Sequence, residues 1–190
     1  HSTTRRPYRL HGTMLTAGAV AWASMIAVFG LDRLDEPAAR IGHNTSALLF
    51  QIGVLCLVRV LWRTTALGTG RLARVALRVE TGALALAMLS TLSDLVGLTN
   101  LDNPASLALD FFWPISMAGM FLIGIRIAVA GRWRGVSRFY PMVAESWAVV
   151  TVPTLGIFGP GVARWVAAAH LLVGYAVLGR VVARKAAAGD

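Results

Sequence analysis

The fold class predicted here is an all-α, polytopic bundle of six transmembrane helices without a sizeable soluble domain. The chain of 190 residues is 56% hydrophobic and only 14% charged, with a mean hydropathy of +0.65, against roughly 25% charged in an ordinary soluble protein. Its apolar residues fall into six stretches near the 20 residues that a helix needs to cross a bilayer, and its charges gather between them.

In chain order, the helices are expected at about 10–31, 45–62, 76–98, 105–130, 140–158 and 161–182. A polar loop from Asp32 to Asn44 separates the first two. The third and fourth are joined by a connector holding Asn100, Asp102, Asn103 and Pro104. Gly159-Pro160-Gly161 turns the fifth helix into the sixth, because neither glycine nor proline continues a helix. Six spans and their short loops use the whole length, so residues 1–190 form one domain.

Basic residues set the orientation. Fifteen (Arg5, Arg6, Arg9, Arg59, Arg63, Arg71, Arg74, Arg78, Arg126, Arg132, Arg134, Arg138, Arg180, Arg184, Lys185) fall on one side, and three (Arg33, Arg40, Arg164) on the other. The positive-inside rule makes the first side cytoplasmic, with both termini there, in a bacterial-type inner membrane. Trp62, Trp133, Tyr140 and Trp165 stand at expected span ends, where amphipathic rings prefer to lie.

The net charge of +9 would suggest nucleic acid in a soluble protein. Here the charges follow the loops and no stacking aromatics are interleaved with them, so no nucleic-acid role is expected. The single cysteine, Cys56, allows no internal disulfide. His11 and His43 fall at opposite ends of their spans, and the glycines form no phosphate-cradling loop. Neither a metal site nor a cofactor is expected.

An ionisable side chain in hydrocarbon costs about 2.5–3.5 kcal/mol on insertion scales, so each one calls for a neighbour, a wet cavity or a function. Asp94 and Asp110 are each eight residues from Asp102. A hairpin centred there sets them level, roughly 6–8 Å below the outer edge at 1.5 Å per residue. Pro114 has no N–H for the Asp110 carbonyl, and Gln51 lies at a comparable depth. Two carboxylates that close would share a proton or a cation. Alternatively, one caps a helix end while the other faces headgroups.

The same mirror arithmetic sets Glu80 against Arg126 as a structural ion pair, and Glu145 level with Tyr175, in hydrogen-bonding reach. His170, near mid-membrane, is expected to donate to the Val149 carbonyl that Pro153 leaves free, in preference to ligating a metal. Trp113, in the run Asp110-Phe111-Phe112-Trp113-Pro114, offers an aromatic face that stabilises a cation or simply packs. Ala17/Ala21 and Ala19/Ala23 form a small-residue face on the first span, suited to close packing within the bundle or to docking a partner membrane subunit.

These residues fit three functions. The first is a small-molecule or ion binder or carrier, with Asp94, Asp110, Gln51, Trp113 and His170 as ligand-binding candidates. In helix number, in having both ends inside and in alanine spacing, the chain resembles the substrate-binding subunits of energy-coupling-factor vitamin transporters, which implies a membrane-embedded binding component working with partner subunits. The second is an intramembrane enzyme acting on a lipophilic substrate, for instance a terpene cyclase, with Asp94, Asp110 or Glu145 as proton donor. The third is a non-catalytic subunit of a membrane complex.

Overall fold

Long apolar runs without water force the backbone to satisfy its own polar groups, and only helices do so within one segment. The computed structural model describes residues 7–31, 36–100 and 102–185, and among them every regular element is helical. Arg5, Arg6 and Arg33, which entered the charge count, lie outside the described residues. The helices are α1 (Arg9–Phe29), α2 (Pro37–Arg63), α3 (Arg71–Leu95), α4 (Pro104–Asp110), α5 (Phe112–Ala130), α6 (Val136–Glu145), α7 (Trp147–Leu171) and α8 (Val177–Ala183), with a π-helical turn at Leu172–Ala176 between the last two. Five stretches are long and apolar enough to cross a membrane: Arg9–Phe29, Pro37–Arg63, Arg71–Leu95, Pro104–Ala130 and Val136–Ala183. They give the chain the build of a multi-pass membrane protein.

Local chemistry explains where these elements differ from the sequence expectations. The second helix starts at Pro37, so residues expected in a loop up to Asn44 are helical; proline's fixed φ suits the first helical position. The fourth segment breaks at Phe111, next to the Asp110 carbonyl that Pro114 cannot serve. An unexpected kink falls at Ser146, where backbone N–H and hydroxyl both donate to the Val143 carbonyl, at 3.3 and 2.7 Å. Gly159 leaves helical geometry altogether, with φ 77° and ψ 175°. There the chain doubles back: Trp147 Nε1 donates to the Ala167 carbonyl at 3.0 Å, and Tyr140 donates to the Val173 carbonyl.

The core is organised around α1, which packs on α2, α7, the π turn and α8. Glycine makes this approach possible. A Cβ at Gly53 would lie 2.7 Å from the Leu15 Cα, and one at Gly18 would lie 2.6 Å from the Leu49 carbonyl oxygen. Ala19 and Ala23 are buried in the same seam, whereas Ala17 is exposed. At the arginine-rich end Trp133 is buried, donates to Thr64 Oγ1 at 3.1 Å and lies under Lys185. It is thus a structural plug in place of the interfacial ring expected from its position; Trp62 and Trp165 are exposed.

Gly53→Ala is expected to cost about 1–3 kcal/mol, since backbone of α1 must move to admit the methyl. Gly82→Ala, with open space around it, should leave stability unchanged or raise it by up to about 1 kcal/mol. Thermal unfolding of both variants in detergent tests the pair; an equal Tm for the two would contradict the packing described.

Candidate functional site

Five elements converge on one small cavity at mid-depth in the bundle. Gln51 comes from α2, Leu84 and Ala87 from α3, Trp113, Ser116 and Met120 from α5, Glu145 from the end of α6, and Tyr175 from the π turn. The cavity measures about 20 Å³, just above the roughly 10–15 Å³ that one water molecule needs. Glu145 and Tyr175 are each 1% exposed, Gln51 2%. Along α6, Glu145 is nine residues from Val136, or about 14 Å from the arginine-rich end. The polar convergence is therefore deeper than the outer-leaflet site expected from Asp94 and Asp110.

Two local distortions aim the pair. The kink at Ser146 ends α6 on Glu145. The π turn carries one extra residue per turn, a feature often found at functional sites, and it directs Tyr175 inward. Carbonyls in this turn are taken up by side chains: Tyr140 donates to that of Val173, and Thr16 Oγ1 donates to that of Ala176 at 2.9 Å.

Hydrogen-bond accounting identifies what is unfinished. Tyr175 donates to Glu145 Oε2, as its matching depth suggested. Thr91 Oγ1 donates to the Ala87 carbonyl at 3.1 Å and accepts from Gln51 Nε2 at 3.0 Å. Ser116 Oγ donates to Glu80 Oε1 at 2.6 Å. That leaves Glu145 Oε1 and Gln51 Oε1 buried without partners, on two residues that line the same cavity. Buried polar atoms are nearly always satisfied, so each of these oxygens calls for a proton, a water or a ligand. No cationic side chain lines the cavity.

An aromatic cluster closes one side. Trp22 stacks on Phe50 at 4.9 Å and meets Trp113 and Trp147, each at 5.2 Å between ring centroids; Phe50 meets Tyr175 edge-on at 4.7 Å. Trp22 Nε1 points at His43 Nε2, 3.5 Å away.

Several sequence expectations need correction. Asp110 is exposed and accepts from Ser90 Oγ at 3.4 Å, one turn away from Asp94, and Asp94 lies within electrostatic reach of His43. The pairs Ser90–Asp110 and Glu80–Ser116 mirror about residues 100 and 98, so α3 and α5 meet in a register several residues off the one centred on Asp102. That register also undoes the Glu80–Arg126 ion pair. Glu80 is 3% exposed and bonded to Ser116, while Arg126 is exposed; both border a membrane-facing groove between α3 and α5. His170 Nε2 lies 3.1 Å from Ser146 Oγ, away from the Val149 carbonyl, because the Ser146 kink carries its hydroxyl into reach. Since that hydroxyl donates to Val143, His170 Nε2 is the donor in this contact. Gln51 and Trp113 do line the cavity, while Asp94, Asp110 and His170 do not. Ser116 and Thr91 escaped the sequence reading, because a lone hydroxyl in an apolar helix usually bonds its own backbone. Among the described residues no cluster of three or more metal-ligating side chains occurs.

Tyr175→Phe, which strips a donor from a buried carboxyl, is expected to destabilise by about 1–3 kcal/mol. Combining it with Glu145→Leu should cost less than the sum of the two single changes. A double-mutant cycle of thermal or chemical unfolding measures this coupling, and strictly additive effects would mean that the two side chains do not interact. Searches of protein-family models, curated proteins and solved structures find no match to this chain.

Proposed function

We propose that this protein is a six-span bacterial inner-membrane protein, with both termini cytoplasmic, that binds and carries a proton through a carboxyl site in its bundle interior. The sixth span is supported by the break at Gly159: the stretch Val136–Ala183 holds 48 residues, twice what one crossing needs, and its limbs hydrogen-bond to each other side by side. The orientation rests on the charge asymmetry.

The observation that carries the reading is Glu145 Oε1, buried without a partner on a cavity that Gln51, whose Oε1 is also unpartnered, lines too, with room for about one water. A carboxylate there would be an uncompensated charge in an apolar interior. A protonated Glu145 removes the difficulty: Oε2 accepts from Tyr175, and the Oε1 hydroxyl donates to Gln51 Oε1, directly or through one water. Ser116 borders the cavity and holds Glu80, which in turn borders the groove between α3 and α5. Glu80, Ser116, one water and Glu145 would then form a chain of exchangeable protons into the α3–α5 groove, which runs to Leu72 and Arg126 at the arginine-rich end, where water can take up the proton. The volume favours a proton over the larger ligand of a vitamin carrier or a terpene cyclase, since pockets for such molecules run to roughly 300–1,000 Å³. The exposed face bearing Ala17 is where a partner membrane subunit would pack in this scheme.

Two measurements test the proposal. In vesicles holding the purified protein, a potassium diffusion potential should drive proton uptake, read by a trapped pH dye. Glu145→Gln and Ser116→Ala should reduce it to the level of protein-free vesicles. Infrared difference spectra should show a protonated-carboxyl band that Glu145→Gln removes. Uptake no faster than in empty vesicles, or a Glu145→Gln variant that conducts like the parent, would exclude the proton-carrying role.

A further inference from the structure

A second feature, separate from the interior cavity, lies on the outside of the bundle near its arginine-rich end. A groove of about 520 Å³ runs between α2 and α3, with Leu55, Val58 and Thr81 along it and Arg59, Trp62 and Arg63 also bordering it. Arg59 and Arg63 stand one turn apart on the same helix, so their side chains neighbour each other. Arg78 of α3 lies over the Trp62 ring at 5.8 Å, and His11 of α1 is within electrostatic reach of both Arg59 and Arg63.

Among the described residues this cluster has no counter-charge. No acidic residue borders the groove, and among the described residues neither Arg59 nor Arg63 is ion-paired. Collecting guanidinium groups without a carboxylate is unfavourable unless an anion completes the set, and arginine's planar fork suits a phosphate in particular. The other end of the groove is apolar and belongs to a membrane-facing surface, so it suits hydrocarbon. We propose that this groove is a binding site for an anionic phospholipid, with the phosphate held by Arg59 and Arg63 and an acyl chain lying along Leu55 and Cys56. Charge complementarity selects this occupant. A zwitterionic lipid would bring its own cation to a site that already has an excess, and a second helix would have to supply acidic residues at this depth.

Trp62 provides the readout. In vesicles of phosphatidylcholine containing a minor fraction of brominated phosphatidylglycerol, quenching of tryptophan fluorescence should exceed that given by the same fraction of brominated phosphatidylcholine, and Trp62→Phe should remove the excess. Removing each arginine should weaken the preference roughly fivefold, so that Arg59→Gln combined with Arg63→Gln lowers it about 25-fold. Thr81→Phe, at an exposed position that borders the groove, narrows it and keeps both arginines, and should also abolish the preference, so that a poorly folding arginine variant does not decide the matter. Equal quenching by the two brominated lipids would overturn the proposal. So would a preference that Thr81→Phe leaves intact, or displacement by millimolar inorganic phosphate, which would show that the arginines take a free anion and the groove no lipid.

Discussion

The interior of this bundle is largely apolar, and that governs its construction. In hydrocarbon a polar atom without a partner costs several kcal/mol. At the Ser146 kink and the π turn, a side chain meets the freed group. Ser146 serves the Val143 carbonyl at its own kink. Tyr140 and Thr16 serve carbonyls of the π turn. Thr64 takes the indole N–H of Trp133. Of the buried side-chain atoms left without a partner, the oxygens of Glu145 and Gln51 stand out because both residues line one cavity.

Close helix packing makes the accounting strict. Glycines at positions 12, 18, 53 and 179 bring α1 into backbone contact with α2 and α8, leaving a cavity that holds about one water and little else. Gly119 contributes in the same way on α5, since a Cβ there would collide with Glu80 Oε2. The Glu80 carboxyl can therefore lie against the helix and still reach Ser116. Close packing and the Glu80–Ser116 contact share one cause, the use of residues small enough to let polar groups meet across helices.

The exterior follows another logic. Facing lipid, the helices present apolar side chains such as Val79, Leu122 and Val129, and the arginines cluster at one end. Arg59 and Arg63 act through that placement: they meet a groove whose apolar length continues into the bilayer. The proposed proton site of the interior and the proposed lipid site of the surface are independent features, and each has its own readout.

Composition and hydropathy were enough to establish a helical membrane protein, because the cost of exposing apolar backbone segments to the wrong solvent does not depend on how the helices pack. The turn at Gly159 and the matched depths of Glu145 and Tyr175 were legible too, since a proline-glycine break and a count of residues on either side of it are local. The partners of Glu80, Asp94, Asp110 and His170 were not. Residue counting assumes straight helices and a symmetric hairpin, whereas Phe111, Ser146 and the π turn each shift register and rotate every residue beyond them. Which face of a helix turns inward is set by contacts with other helices, so only the tertiary structure could bring Ser116 to Glu80 and leave Glu145 with one oxygen free.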